Sequence, residues 1–401
     1  MTQARHFAVI GAGIAGLSCA RTLVQAGHTV TVMEKSGQSG GRMATRESPF
    51  GSFDHGAQYF TVRDPRFELA LRTVPGICKP WSANTVRVLD EHGRTVAAGL
   101  PLQEPHWVAT PGMNDLPRQW AQPLQQLGAI RTGIRATRIA RNKNAKSPWT
   151  VHAVGPDVAG QHERHAIADF DAVVLALPAR QAHELLENSE LAESWVQRID
   201  AVQVAPCWTL MLAFPQAMQP GMSTLGPQWN AARSTHHRIA WLARESSKPM
   251  RTPIERWTAQ ASAAWSREHL HDQPDRVQAK LLRAFAEVTG IRAEPSHVQV
   301  HRWLYAKTEQ PLGKSHLWDA KTGLGVCGDW CIGHRVEDAF VSGLDGCGAG
   351  AIRFEGGMVT SPKAVRRFED VVAEAYANRI QLWSDGFYRT PKIHYDKTTL
   401  T

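Results

Sequence analysis

Phe7-Ala8-Val9-Ile10-Gly11-Ala12-Gly13-Ile14-Ala15-Gly16, followed after a short interval by Thr29-Val30-Thr31-Val32-Met33-Glu34, decides how this chain folds. An apolar run enters Gly-x-Gly-x-x-Gly, the stretch from Ala15 to Ala26 has helical character, and a second apolar run ends in an acid. That order reads as strand, glycine turn, helix and strand. Gly11 permits the tight turn, Gly13 lets backbone approach a pyrophosphate, and Gly16 lets helix and strand pack closely. The helix start at Ile14 and Ala15 offers unpaired N–H groups and a positive dipole end to phosphates. Glu34, followed by Lys35, stands where a carboxylate accepts hydrogen bonds from an adenosine ribose. These features specify a dinucleotide site in an α/β fold.

A second glycine cluster, Gly40-Gly41-Arg42-Met43, follows where an ordinary nicotinamide dehydrogenase would begin its next helix. A second glycine pair with an arginine suits a longer dinucleotide threaded further into the protein, which favours FAD over NAD. An arginine beside the pyrophosphate supplies charge-assisted hydrogen bonds.

The chain has 401 residues, enough for two intertwined domains. Its 43% apolar and 20% charged residues are ordinary for a soluble globular protein. No apolar run has the length of a membrane span. The first strand begins almost at once, leaving no room for a signal peptide, so a cytoplasmic protein is expected. The net charge of +8 comes from scattered Lys and Arg, which argues for small anionic ligands and against nucleic acid. Six cysteines, among them Cys327 and Cys331, lack disulfide or zinc spacing and read as buried thiols.

Further along, Asp64-Pro65 opens a helix running to about Val74. Thr85–Leu89 and Thr95–Ala98 read as a hairpin, Asn114–Leu127 as a helix and Ile130–Ile139 as one strand. Trp149–Val154 and the apolar run Phe170–Leu177 read as further strands of the dinucleotide domain. Val277–Thr289 is a core-packed helix ended by Gly290. Val298–Ala306 alternates as a strand, and Leu324–Cys327 is a buried strand ending at Gly328-Asp329. In the tail from Phe354 to Thr401, Phe368, Val372, Tyr376 and Ile380 share a helical face.

Gly40-Gly41-Arg42-Met43-Ala44-Thr45-Arg46, with Asp54-His55-Gly56-Ala57-Gln58-Tyr59-Phe60-Thr61, resembles the bacterial branch of the renalase-like flavoproteins, relatives of the flavin amine oxidases. Ala176-Leu177-Pro178, Ser246-Ser247-Lys248-Pro249, Trp265-Ser266 and Gly328-Asp329 extend the resemblance over residues 1–353. It implies a Rossmann-type FAD-binding domain with a mixed-sheet substrate domain, in the two-domain architecture of para-hydroxybenzoate hydroxylase. The expected division is FAD-binding segments at 1–60, 110–203 and 315–353, substrate segments at 61–109 and 204–314, and a C-terminal extension at 354–401.

The resemblance also implies roles. Gly56, Ala57, Gln58 and Tyr59 are expected to pass close to the flavin, where a glycine beside small residues lets backbone approach a planar ligand. Ala136 is expected at the adenine and Asp329 at the ribityl chain, with the helix starting at Val336-Glu337 aimed at the flavin. Tyr59, Trp241 and Tyr305 are expected as walls for a substrate ring, with Gln260 beside them and Arg302 on a phosphate. Two positions depart from the family pattern: Gln260 replaces a histidine and Asp338 a glycine. A carboxylate at 338 would either repel a reduced, anionic flavin or cap the helix, and the cap is the preferred reading.

Renalase-like enzymes oxidise 2- or 6-dihydro isomers of NAD(P) to beta-NAD(P), pass the hydride to the flavin, and use molecular oxygen to give hydrogen peroxide. Loss of hydride from a dihydropyridine restores aromaticity and releases no proton, which matches a sequence without an evident catalytic dyad. His55, Lys248 and Lys307 are candidate bases that read more readily as structural. The alternatives are a flavin amine oxidase or desaturase acting on an amine or apolar substrate, and a flavin-binding protein without turnover.

Overall fold

The computed structural model of the chain describes residues 4–81, 86–97, 104–142, 144–156, 162–218, 227 and 229–353. The predicted tail helix, Thr85 and Ala98 lie outside these residues.

The opening stretch forms strand His6–Ile10, helix Ile14–Gln25 and strand Thr29–Glu34. The two strands pair in parallel, and Ala172–Leu175 pairs in parallel on the other side of His6–Ile10. Leu324–Val326 and the antiparallel Leu317–Asp319 extend that edge, while Ile130–Thr132 closes the opposite one. Phe7 and Val9 face helix Ile14–Gln25, whereas Ala8 and Ile10 face Leu185 and Leu186 of helix Ala179–Asn188. A parallel sheet buried on both faces needs such continuous apolar strands.

The single strand expected over Ile130–Ile139 is two strands. The chain turns at Gly133, with φ of 72°, a left-handed conformation foreign to an extended strand. Ile130–Thr132 stays in the parallel sheet, while Arg135–Arg141 joins Trp149–Pro156 and His162–Phe170 in a three-stranded antiparallel sheet. The alternation of Ile with polar residues runs through the turn and conceals it.

A second large sheet has seven strands, in the order His297–Gln310, Gln203–Phe214, Glu255–Ala261, Ile239–Arg244, Ala231–Ser234, Arg87–Leu89 and Thr95–Ala97. All neighbours are antiparallel except Ala231–Ser234 with Arg87–Leu89, so the sheet is mixed. One face carries Leu210, Leu212, Leu242 and Trp257 onto Leu281 and Phe285 of helix Pro274–Thr289. The other face turns toward Phe53–Phe60 and the glycine clusters.

A buried ion cluster joins the two parts. Lys248 Nζ lies 3.0 Å from Asp54 and 3.0 Å from Glu245, all three side chains fully enclosed. Arg251 adds a 2.7 Å contact to Asp54, whose other oxygen accepts from Thr45 Oγ1 and the Met113 N–H. Burial alone would raise the Asp54 carboxyl, but Lys248 and Arg251 hold it down to about 2. Burial pushes Glu245 the other way. Lys248, a candidate base in the sequence, is thereby committed to structure.

Replacing Lys248 with Met leaves Glu245 without its cation and Asp54 with Arg251 alone, a loss of about 3–5 kcal/mol, measurable as a lower urea midpoint at neutral pH. The Asp54 contribution is complete above its usual value of 3.8 and is lost as pH falls toward 2. The stability gap between wild type and Asp54→Asn should therefore close over that acid range in thermal unfolding.

Candidate active site

The glycine turn is set by backbone collisions that any side chain would cause. Gly11 has φ of +108°, and a Cβ there would stand 2.3 Å from the Ala176 carbonyl oxygen. A Cβ on Gly16 would stand 1.9 Å from the Gly11 carbonyl oxygen. Gly13 is different: a Cβ there meets nothing within 4 Å. The helix that begins at Ile14 has no side-chain cap and no acid in its first turn. Its first N–H groups are left for a ligand.

Glu34 is buried and binds the turn to the second strand. One oxygen accepts from the Ala12 N–H at 2.8 Å, the other from Ser36 N–H and hydroxyl at 2.9 and 2.6 Å. Lys35 after it is exposed. The second glycine cluster folds back on the first: Gly40 N–H donates to Ala12, and the Cβ position of Gly41 lies 3.4 Å from Gly13 Cα. The Ser39 hydroxyl is buried there without a partner. Ala15 packs against helix Val336–Arg353, at Gly343, and Met43 joins Ile14 and Phe60 in one apolar cluster.

Arg42 reaches across 287 residues of sequence to Asp329, with contacts of 2.9 and 2.5 Å to its two oxygens. Gly328 N–H is held by Ser342 Oγ at 2.8 Å. A Cβ on Gly56 would stand 2.0 Å from the Arg42 carbonyl oxygen. The Arg42 carbonyl is thus one close approach that demands glycine at 56. Ala57 N–H donates to the same carbonyl at 2.9 Å, and Gly56 O accepts from Gln260 Nε2 at 2.8 Å and from Gln58.

Beyond that segment Tyr59 stacks on His106 with ring centroids 3.8 Å apart and tilts against Trp241 at 5.4 Å. Burial and then the Arg233 guanidinium depress His106 to about 4. His55, stacked on Trp303, is depressed by burial to about 3. Both imidazoles are neutral at physiological pH. His106 was not among the residues read from the sequence. It sits in no motif, and the bridge between Phe60 and Trp107 brings it to Tyr59.

Val336 opens the last helix and packs in the cluster that contains Ala57, Tyr59 and Trp241. Glu337 accepts from the Arg63 and Asp64 N–H groups at 2.6 Å each, and Asp338 accepts from the Arg335 N–H at 2.8 Å. Asp338 therefore caps the helix. Ala136 lies at an irregularity in the strand Arg135–Arg141 and packs partly under the parallel sheet.

Arg302 requires correction. It pairs with Trp208, a member of the cluster beneath helix Pro274–Thr289, and its guanidinium donates to the Leu270 carbonyl at 2.7 Å. His301 and Thr209, one step away in each strand, share the face of Gln260. Arg302 thus points away from Tyr59 and Trp241. Tyr305 lies in the irregular stretch between the pairs Cys207–Trp303 and Ala205–Lys307. Burial raises its hydroxyl, and Glu184 and Arg180 are its charged neighbours, so it stands apart from the Tyr59 wall.

Residues 9–72 match the model of an NAD(P)-binding Rossmann-like domain, and residues 85–349 match that of the flavin containing amine oxidoreductases. The chain belongs to the flavin containing amine oxidoreductase family. This, with the Rossmann-like unit, implies FAD. The open space at Gly13, the uncapped helix and the unpartnered Ser39 hydroxyl fit a dinucleotide at that turn.

A Bacillus subtilis protein described as a candidate L-amino-acid oxidase is 54% identical over 46 residues, 12% of this chain and 10% of that protein. The bifunctional protein MnmC of tRNA 5-methylaminomethyl-2-thiouridine biosynthesis from Thiobacillus denitrificans is 28% identical over 222 residues, 48% of this chain and 34% of that protein. The chain thus spans about a third or less of these curated relatives. A solved structure from Exiguobacterium sp. 255-15, described as a candidate protoporphyrinogen oxidase, superposes with a TM-score of 0.65. It covers 89% of this chain and 100% of its own at 12% identity, a likeness of fold. Among the described residues no helix is long and apolar enough to cross a membrane.

The two glycines of the turn should separate folding from cofactor binding. Gly13→Ala adds a methyl that meets no protein atom, so the apoprotein should unfold at the wild-type temperature while FAD affinity falls about tenfold or more, as expected for an overpacked contact. Gly16→Ala drives a Cβ into Gly11 and should lower the unfolding temperature of the apoprotein itself. Flavin titration and thermal unfolding of each variant check both.

Proposed function

We propose that this chain oxidises 2- or 6-dihydro isomers of reduced NAD(P) to beta-NAD(P) in the cytoplasm, with molecular oxygen as final acceptor and hydrogen peroxide as product. The observation that carries this reading is the aromatic wall of Tyr59, His106 and Trp241, whose imidazole is a weak base depressed to about 4. The two nearby imidazoles are weak bases, depressed by burial to about 3 and about 4, and Lys248 is locked between Asp54 and Glu245. A dihydropyridine needs a surface to lie on and loses no proton when its hydride leaves, so a site without a base suffices.

Bound FAD supplies the hydride acceptor. In this reading Gly11, Gly13, Gly16 and the N–H groups of Ile14 and Ala15 receive the pyrophosphate. Glu34 keeps about one acceptor site of four for a ribose hydroxyl beside its three internal bonds. Gly41, Arg42, Met43, Gly328 and Asp329 border the middle of the cofactor. Gly56 to Tyr59, Val336 and Glu337 border its ring, and Ala136 its adenine. Gln260 holds the Gly56 carbonyl and so sets the height of that segment against the sheet. The domain division proposed follows the two large sheets, with FAD on the parallel one.

A second reading, oxidation of an amine or an apolar substrate, is favoured by the family and by relatives described as L-amino-acid oxidases. Anaerobic stopped-flow mixing of the holoenzyme with 2-, 6- and beta-dihydro isomers and with an amine panel distinguishes the two. Rapid loss of flavin absorbance with the 2- or 6-dihydro isomers and slow or no loss with amines is expected. Bleaching by amines alone overturns the nicotinamide reading.

A further inference from the structure

Arg233 was not singled out by any motif, yet strand parity places it at the aromatic wall. In the pairing of Ala231–Ser234 with Ile239–Arg244, Ala231 faces Ala243, Ala232 faces Leu242 and Arg233 faces Trp241. Ala231 and Ala243 lie in the cluster that contains Tyr59 and Trp241. Ala232 and Leu242 lie in the opposite cluster, beneath helix Pro274–Thr289. Partners in an antiparallel pair share a face and neighbours alternate, so Arg233 stands on the wall side beside Trp241. Its side chain is exposed, and among the described residues no carboxylate lies within ion-pair distance of it.

Two more polar groups on this wall lack partners. His106 is 5% exposed and its Nδ1 has no hydrogen bond, and neither has Trp241 Nε1. A neutral imidazole, an indole N–H and a guanidinium together make a donor-rich edge beside these stacked and tilted rings. Such an edge is complementary to a planar ligand that carries oxyanions.

We infer that Arg233 is a specificity-determining residue that pairs with an anionic oxygen group of the substrate at the open end of the Tyr59–His106–Trp241 wall. Resting on the nicotinamide reading, that group is a phosphate of the dinucleotide, for which the planar guanidinium offers two parallel donors. A substrate carboxylate has the same chemistry and would engage the same fork. Being exposed, the pair is screened by salt, so its contribution shrinks as ionic strength rises.

The test compares wild-type, Arg233→Gln and Arg233→Lys holoenzymes on two substrates, a reducing dihydro-NAD(P) isomer and the phosphate-free dihydronicotinamide riboside of the same isomer. Arg233→Gln should raise KM for the dinucleotide on the order of 10- to 100-fold, as for a lost charged hydrogen bond, and change the riboside KM by about twofold at most. Arg233→Lys should recover part of the difference, and added salt should erode the wild-type preference. Equal losses on both substrates, or no loss, overturn the inference. If no dinucleotide reduces the wild-type flavin, the nicotinamide reading has failed, and the arginine is judged on an amino acid against its decarboxylated amine. A loss confined to the amino acid then supports it, while equal effects, or a wild type indifferent to the carboxylate, overturn it.

Discussion

Asp54 carries a full negative charge where no water reaches it, and much of the site depends on how that charge is satisfied. Four groups do so: Lys248, Arg251, the Thr45 hydroxyl and the Met113 N–H. They come from three separate stretches of sequence, so the carboxylate can be satisfied only when those stretches converge. Removing any one charged partner leaves an uncompensated buried ion, a far larger loss than a surface pair would produce. This makes the cluster a specifier of geometry more than a source of net stability. It fixes strand Phe53–Asp54 against Thr45–Arg46, and the chain then passes directly into Gly56–Tyr59.

From that anchor the geometry is carried by contacts with no slack. Gly56 lies against the Arg42 carbonyl so closely that a methyl group has no room, and Gln260 grips the Gly56 carbonyl from the seven-stranded sheet. Arg42 in turn is held by Asp329, at the end of the parallel strand Leu324–Val326. The Cβ position of Gly41 lies 3.4 Å from Gly13 Cα at the head of the first helix. The substrate sheet and the glycine clusters are thus linked through Gln260, the Gly56 and Arg42 backbone, and the Arg42–Asp329 pair.

The parallel core and its glycine turn were legible because local pattern and tertiary role coincide there. Phe7 to Glu34 must be apolar, tight and acidic in that order for reasons that act within a few residues. The capping carboxylate of Asp338 was legible for the same reason, since its partner is the Arg335 N–H three residues away. The turn at Gly133 was missed because a two-residue alternation continued across it. His106 was missed because its role exists only once Trp107 pairs with Phe60, a long-range event without a local signature. The close approach of the Arg42 carbonyl to Gly56 has no local signature, because sequence alone does not bring Arg42 there.

The two arginines show what kind of information a strand withholds. Arg302 and Arg233 both lie in strands of the same sheet, and by composition either suits an anionic substrate. Side chains alternate faces, so a difference of one in register decides everything. Arg302 is opposite Trp208 and falls with the helix-packed core, where it spends its donors on the Leu270 carbonyl. Arg233 is opposite Trp241 and falls on the side of Tyr59. The parity of Arg302 is concealed in sequence because its strand runs for 14 residues with His, Arg and Trp on either face. That of Arg233 is set by pairing: Ala231 lies opposite Ala243 in the cluster of the aromatic wall and Ala232 opposite Leu242 beneath the helix, leaving the arginine the wall side.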